Sequence, residues 1–217
     1  MNSWISIMFC DFIEPTDYLC NLELWTRDNY NILYITGVSG SGKSRLAKEL
    51  KNKYSCKVIG LDPICNYYMD KSYKFELFKD KNYKEVMDSC PEALDFLKLN
   101  FEVKYTYEET MDIMKQFIDW FESKYLHNGE LYIVEGYLIH KTMNLEWFFT
   151  RPLIVKIIEY RDVVIRRAGR NYKDDLSKIS ESEIERCMNN ARYKESYDSY
   201  IDFVDKLKQK VSPYPNG

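Results

Sequence analysis

The chain lacks most of the residue patterns that would place it in several common classes. Among its 217 residues there are only two histidines, His127 and His140, and six cysteines, at positions 10, 20, 56, 65, 90 and 187. No two cysteines form a C-x-x-C pair, so a zinc site or dithiol centre has no basis in the sequence. Scattered thiols of this kind fit a cytoplasmic chain. No apolar run approaches the roughly 20 residues that cross a bilayer. The stretch Met1 to Phe9 is apolar but has no basic region before it, and Asp11 and Glu14 follow at once. A secretory signal is therefore not expected. An excess of charge is missing too. Lys and Arg total 31 against 34 Asp and Glu, a net charge of -3, which argues against general affinity for nucleic acid or anionic membranes. The 19 tyrosines read as compositional bias before they read as function.

Glycine is scarce as well, eight in all, yet Gly37, Gly40 and Gly42 fall together. Residues 37–44 read Gly-Val-Ser-Gly-Ser-Gly-Lys-Ser, a complete G-x-x-x-x-G-K-[ST] loop. Upstream, Asn31 to Thr36 is an apolar, β-favouring run. Downstream, Leu46, Ala47 and Leu50 share one helical face. Strand, glycine loop and helix form the arrangement in which main-chain N–H groups surround phosphate oxygens and the helix dipole favours the anion. The residues expected to hold a nucleoside triphosphate are Gly37, Val38, Ser39, Gly40, Ser41, Gly42, Lys43, Ser44 and Arg45.

Three further strands are expected. Cys56 to Leu61 ends on Asp62-Pro63, where proline cannot continue a ladder. Leu131 to Gly136 carries Glu135 at its end, and Pro152 to Ile158 is nearly continuous in apolar residues and so reads as buried. Between positions 63 and 128 lies a tyrosine- and lysine-rich segment that turns helical at the capping box Thr106-x-x-Glu109. It places Met111, Met114, Ile118 and Phe121 on one face and stops near Asn128-Gly129. A second capping box, Ser180-x-x-Glu183, opens one long helix towards residue 210, with Tyr193, Tyr197 and Tyr200 at packing positions. Residues 1–30 read as an extension whose Trp4, Phe9, Phe12, Leu22 and Trp25 pack on the domain. The pattern predicts one α/β domain with a parallel sheet and ligand groups at the strands' carboxyl ends.

Those ends carry a chemically coherent set. Lys43 is suited to the β- and γ-phosphates and the Ser44 hydroxyl to Mg²⁺. Glu135 is placed to complete the metal shell, with water filling the rest. Asp62 is suited to accept a proton from an acceptor hydroxyl. Arg161, Arg166, Arg167 and Arg170 follow the fourth strand. Arg166 and Arg170 share one helical face at i, i+4 while Arg167 points elsewhere, and the shared face is suited to stabilising transferred charge.

In this order, the loop at 37–44, Ile-Gly-Leu-Asp at 59–62, Ile-Val-Glu-Gly at 133–136 and Arg-Asp-Val-Val-Ile-Arg-Arg-Ala-Gly-Arg at 161–170, the sequence resembles the P-loop nucleoside and nucleotide kinases, particularly their uridine kinase-like branch. The resemblance implies a three-layer P-loop fold with a substrate-covering insertion at 63–128 and an arginine lid at 161–175. It implies ATP and Mg²⁺ as cofactors. Its residue roles are Asp62 activating the acceptor hydroxyl, Glu135 serving magnesium, and Arg166 and Arg170 acting beside Lys43 in catalysis. The acceptor it implies is a small, nucleoside-like molecule.

Three other readings stay open. A monophosphate kinase needs no base but needs arginines for the acceptor phosphate, and the segment 63–128 contains none. A kinase acting on a modified base in DNA or on a nucleotide sugar would use Lys71, Lys74, Lys79, Lys81 and Lys84 to steer phosphate; the acidic net charge disfavours it. A nucleotide-binding regulator without transfer activity is the third. A GTPase switch is excluded, because the Asn-Lys-x-Asp base-reading element is missing. No strand is expected after the lid.

Overall fold

The computed structural model describes residues 18–21, 24–62, 64–65, 96, 106–169 and 176–211. Its strands are β1 (Tyr18–Asn21), β2 (Ile32–Gly37), β3 (Lys57–Gly60), β4 (Tyr132–Glu135) and β5 (Leu153–Lys156), in the sheet order β1-β5-β2-β4-β3. Its helices are α1 (Lys43–Tyr54), α2 (Tyr107–Tyr125), the single turn α3 (Ile139–Thr142), α4 (Tyr160–Gly169), α5 (Glu181–Met188) and α6 (Ala191–Val211). Both β2 and β3 pair with β4 in parallel, with Ile35 and Gly60 each opposite Glu135. The architecture is α/β with a parallel core, as the alternation of strand and helix signals predicts.

The described residues fall into two compact units. One holds Asn21–Thr36 and Ser44–Leu153; the other holds Gly37–Lys43, Ile154 onwards and most of β1. In the first unit β2 and β4 are buried at every position. Successive strand residues face opposite sides, so full burial means that both faces of this part of the sheet are covered. Helix α2 starts at the expected capping box, with Glu109 N–H donating to Thr106 Oγ1 (3.2 Å) and Thr106 N–H to Glu109 Oε2 (2.7 Å). It buries Ile113, Met114, Phe117, Ile118 and Phe121 and sets Phe121 edge-on to Tyr132 of β4, ring centres 5.4 Å apart. Met111, expected in this stripe, sits half-buried at its margin, where its sulfur accepts from Thr142 Oγ1 at 3.8 Å. Burying five such side chains contributes on the order of 10 kcal/mol before chain entropy is counted.

A buried asparagine ties the end of α2 to the start of β2. Asn31 Oδ1 accepts from His127 N–H (2.8 Å), and its amide donates to Tyr125 O (2.9 Å) and Glu130 O (2.6 Å). Deeper in the same unit, Glu122 Oε1 accepts from Tyr30 OH (2.7 Å), Tyr34 OH (2.8 Å) and Arg151 Nε (2.6 Å), and Oε2 accepts from Arg151 Nη2 (2.8 Å).

In the other unit, α4 packs on α5 and α5 on α6. The expected single helix after Ser180 is two. Ser180 Oγ does accept from Glu183 N–H (3.2 Å), but α5 ends at Met188. Asn190 then caps α6 by accepting from Tyr193 N–H through both Oδ1 (3.3 Å) and its carbonyl (3.0 Å). Asparagine competes with helical hydrogen bonding through its own side chain, which favours a cap over a continuous helix. Tyr197 OH donates to Ile158 O (2.9 Å) and Tyr200 OH to Lys156 O (3.2 Å), so these tyrosines are packing residues as expected. The fifth strand is supplied by β1, within the segment read as an extension. Of the aromatic residues expected to anchor that extension, Trp25 is buried; Trp4, Phe9 and Phe12 lie outside the described residues, as do Leu22 and most of the segment 63–105. No helix among the described residues is long and apolar enough to cross a membrane.

Candidate active site

The candidate site residues form two groups, one in each unit. The first is the loop at 37–43. Gly40 and Gly42 have φ of 94° and 86°, the left-handed region that costs an L side chain but not glycine. Their alternation with Ser41 turns successive main-chain groups inward, a concavity suited to an anion. Ser41 N–H donates to Val38 O (3.0 Å), tightening the turn. Val38, Ser41 and Lys43 are buried, and Ser39 and Gly40 are half-buried. Lys43 Nζ donates to Val38 O at 3.3 Å, so its ammonium lies over the loop. The Ser41 hydroxyl is buried and makes no hydrogen bond among the described residues.

Two arginines of α4 close on this loop. Arg166 Nη1 donates to Ser41 O at 3.4 Å. A Cβ placed on Gly40 would lie 3.0 Å from Arg167 Cγ, and the Arg167 guanidinium covers the Tyr193 ring at 3.9 Å. Arg167 thus points its guanidinium elsewhere than Arg166 does, as helical spacing suggested. Its stem lies against the loop while its charged end is held by an aromatic face. Arg161 pairs with Glu181 (2.8 Å) on the exposed side. Arg170, and with it the remainder of the expected lid, is outside the described residues.

A further cation here was missed from the sequence. Lys156, the last residue of β5, brings Nζ to 3.1 Å from the point where a Cβ on Gly42 would stand, and Arg166 Nη1 lies 3.2 Å from that point. The signal available was a single lysine ending an otherwise apolar strand.

The second group surrounds β3 and β4. Ser44 Oγ donates to Glu135 Oε1 at 2.9 Å, and Glu135 Oε2 is buried. Asp62 stands two residues past β3, where its Oδ1 accepts from Tyr137 N–H at 2.8 Å. The in-register pairing of Gly60 with Glu135 brings the ends of β3 and β4, and hence these two carboxylates, to one side of this unit. Cys65 reports on the same locality. Burial, and secondarily the Asp62 carboxylate, push its thiol up to about 12. Arg45 extends outward from α1 and pairs with Glu49 (2.9 Å) on an exposed face.

These residues fit the groups the sequence implied. A loop of positive-φ glycines with Lys43, Lys156 and Arg166 beside it suits a polyphosphate. Two adjacent hard oxygens at 2.9 Å suit magnesium, because ligands about 2.1 Å from an octahedral ion stand about 2.9 Å from each other when adjacent. Among the described residues no three His, Cys, Asp or Glu side chains cluster as a metal cage, and magnesium uses only one or two carboxylates.

No protein-family model matches the chain, and no curated protein does. Among solved structures it is similar to a shikimate kinase from Bacteroides thetaiotaomicron, with 14% identity, 82% of each chain covered and a TM-score of 0.42. It is also similar to a shikimate kinase from Acinetobacter baumannii in complex with shikimate, with 11% identity, 88% of this chain and 84% of that chain covered and a TM-score of 0.39.

Proposed function

We propose that the protein is an ATP- and magnesium-dependent kinase that phosphorylates a hydroxyl of a small, nucleoside-like acceptor. The observation that carries this reading is the Ser44 Oγ to Glu135 Oε1 contact at 2.9 Å, immediately after a loop whose glycines adopt φ values open to little else. Bound ATP and magnesium would supply the phosphoryl group and a Lewis acid. The chain's own contribution is alignment and charge. Main-chain N–H groups of 38–43 would hold the phosphates, with Lys43 beside them. Ser44 and Glu135 would hold the metal. Arg166, and Arg170 with it, would face the transferred charge.

Asp62 is assigned the role of base. A carboxylate has about four acceptor positions, and the bond from Tyr137 N–H occupies one of them and orients the group, as a base at a strand end requires. The acceptor's nucleoside-like character and the covering role of residues 63–128 are parts of this proposal. The segment's lysines without arginines favour a neutral hydroxyl over an acceptor phosphate.

The test is Asp62→Asn in one ATP-consumption assay offering nucleosides, nucleoside monophosphates and sugar alcohols. Wild-type protein should consume ATP with a hydroxyl acceptor. The variant should lose on the order of 10²- to 10⁴-fold in turnover while Mg-ATP affinity stays within a factor of two or so. Wild-type turnover by the variant would remove Asp62 from the chemistry. Label that never leaves ATP with any acceptor would favour a nucleotide-binding regulator.

A further inference from the structure

The loop already has the lysine that its motif requires. The structure adds a second one from a different element, and its setting is more specific than a basic side chain at a surface. Lys156 ends β5, where three features hold it. A Cβ on Gly37 would lie 3.1 Å from Lys156 O and 3.2 Å from Lys156 Cβ, so the strand end passes directly against the start of the loop. The buried Tyr200 donates to Lys156 O at 3.2 Å and pins that carbonyl. The Lys156 side chain then runs along the loop to Gly42, where its ammonium and the Arg166 guanidinium approach the same missing side chain, 3.1 and 3.2 Å from it. Two cations directed at one glycine of an anion-binding loop concentrate positive charge and N–H donors where a phosphate oxygen would lie. The Ser41 hydroxyl, buried and without a hydrogen bond among the described residues, lies 2.6 Å from the Gly37 Cβ position in the same loop.

We infer that Lys156 is a phosphate-binding residue that, with Arg166, forms a second cationic clamp on the polyphosphate, separate from Lys43. This inference rests on the kinase reading and adds to it a residue that the loop motif does not contain. The three cations differ in their supports. Lys43 is carried by α1 and Arg166 by α4, whereas Lys156 stands on a strand end fixed by a buried tyrosine. A charge on such a support is present before the nucleotide arrives and changes little afterwards. It therefore contributes to binding in the ground state and transition state alike, raising affinity without raising turnover. It also counts phosphates: triphosphate should gain most from it and adenosine nothing.

The experiment measures binding of Mg-ATP, adenosine and inorganic tripolyphosphate by calorimetry to wild type, Lys156→Gln, Lys156→Met and Lys156→Arg, each first checked for an unchanged melting temperature. The expected result is about a 10-fold loss of affinity for Mg-ATP and tripolyphosphate in both neutral variants, of the size of one partly desolvated charge contact. Adenosine binding should be unchanged, the salt dependence of tripolyphosphate binding should be shallower, and Lys156→Arg should recover most of the loss. KM for ATP should rise in the neutral variants with kcat nearly constant. Wild-type tripolyphosphate affinity in both neutral variants would overturn the clamp while leaving the kinase reading intact. So would an arginine variant no better than the glutamine one, since packing would then be the cause. Wild-type protein that binds neither Mg-ATP nor tripolyphosphate would overturn the kinase reading itself, and the clamp with it.

Discussion

Glu122 is an acidic side chain set among Tyr30, Tyr34 and Arg151, and its titration is a stability statement. Burial alone would raise its carboxyl, but the hydrogen bonds from Arg151, Tyr30 and Tyr34 outweigh that and hold it below the usual carboxylate range. The phenols of Tyr30 and Tyr34 move the other way, raised by burial and then by the Glu122 charge, so they remain donors. Because the native carboxyl is depressed, its contribution to stability is complete above the unfolded-state value of about 4.3. It is lost as pH falls through the lower native value. The urea midpoint should therefore be insensitive to this group down to about pH 5 and decline below it. Glu122→Gln should lose on the order of 3 kcal/mol at neutral pH, by leaving Arg151 without its carboxylate, and show a shallower acid limb. Equal acid slopes in the two proteins would assign the sensitivity to other carboxylates. The sequence offered no route to this cluster, since Tyr30, Glu122 and Arg151 are brought together only by the packing of α2 on the sheet. The positions of Asp62, Glu135, Lys43 and Ser44 in the fold were legible because each follows directly from a local strand end or loop. The approach of Lys156 to Gly42 and of the Arg167 stem to Gly40 was not, because both are contacts between segments far apart in sequence.

At the scale of elements, signals contained within one segment were readable and signals that depend on a partner were not. The β2–loop–α1 unit and the capping box of α2 are written in consecutive residues, and they form as read. β1 is four residues, Tyr-Leu-Cys-Asn, too short to show the alternation that marks a strand. It exists because β5 offers it an edge. The break between α5 and α6 is the instructive case. Two consecutive asparagines sit in a sequence otherwise suited to helix, and the structure uses Asn190 as a cap. Asn190→Ala should therefore cost about 1 kcal/mol in chemical denaturation, although alanine is the better helix former. An unchanged or increased stability would mean that helix propensity prevails and that the break has another cause.

For the molecule as a whole, alternating strands and helices were enough to predict a parallel α/β sheet. The strand order β1-β5-β2-β4-β3 was beyond the sequence, because pairing between distant segments leaves no local trace. The end of β5 reaches the loop, and the ends of β3 and β4 gather the carboxylates. The central proposal is that the chain binds a magnesium–triphosphate, with Ser44 and Glu135 holding the metal. The most direct measurement is calorimetric titration of ATP, with and without Mg²⁺, into wild-type protein and Glu135→Gln. Wild-type affinity should rise at least about 10-fold when Mg²⁺ is present, a gain of about 1.4 kcal/mol, and the variant should lose most of that gain while still binding free ATP. No measurable affinity for ATP under either condition, or an undiminished magnesium effect in Glu135→Gln, would contradict the account.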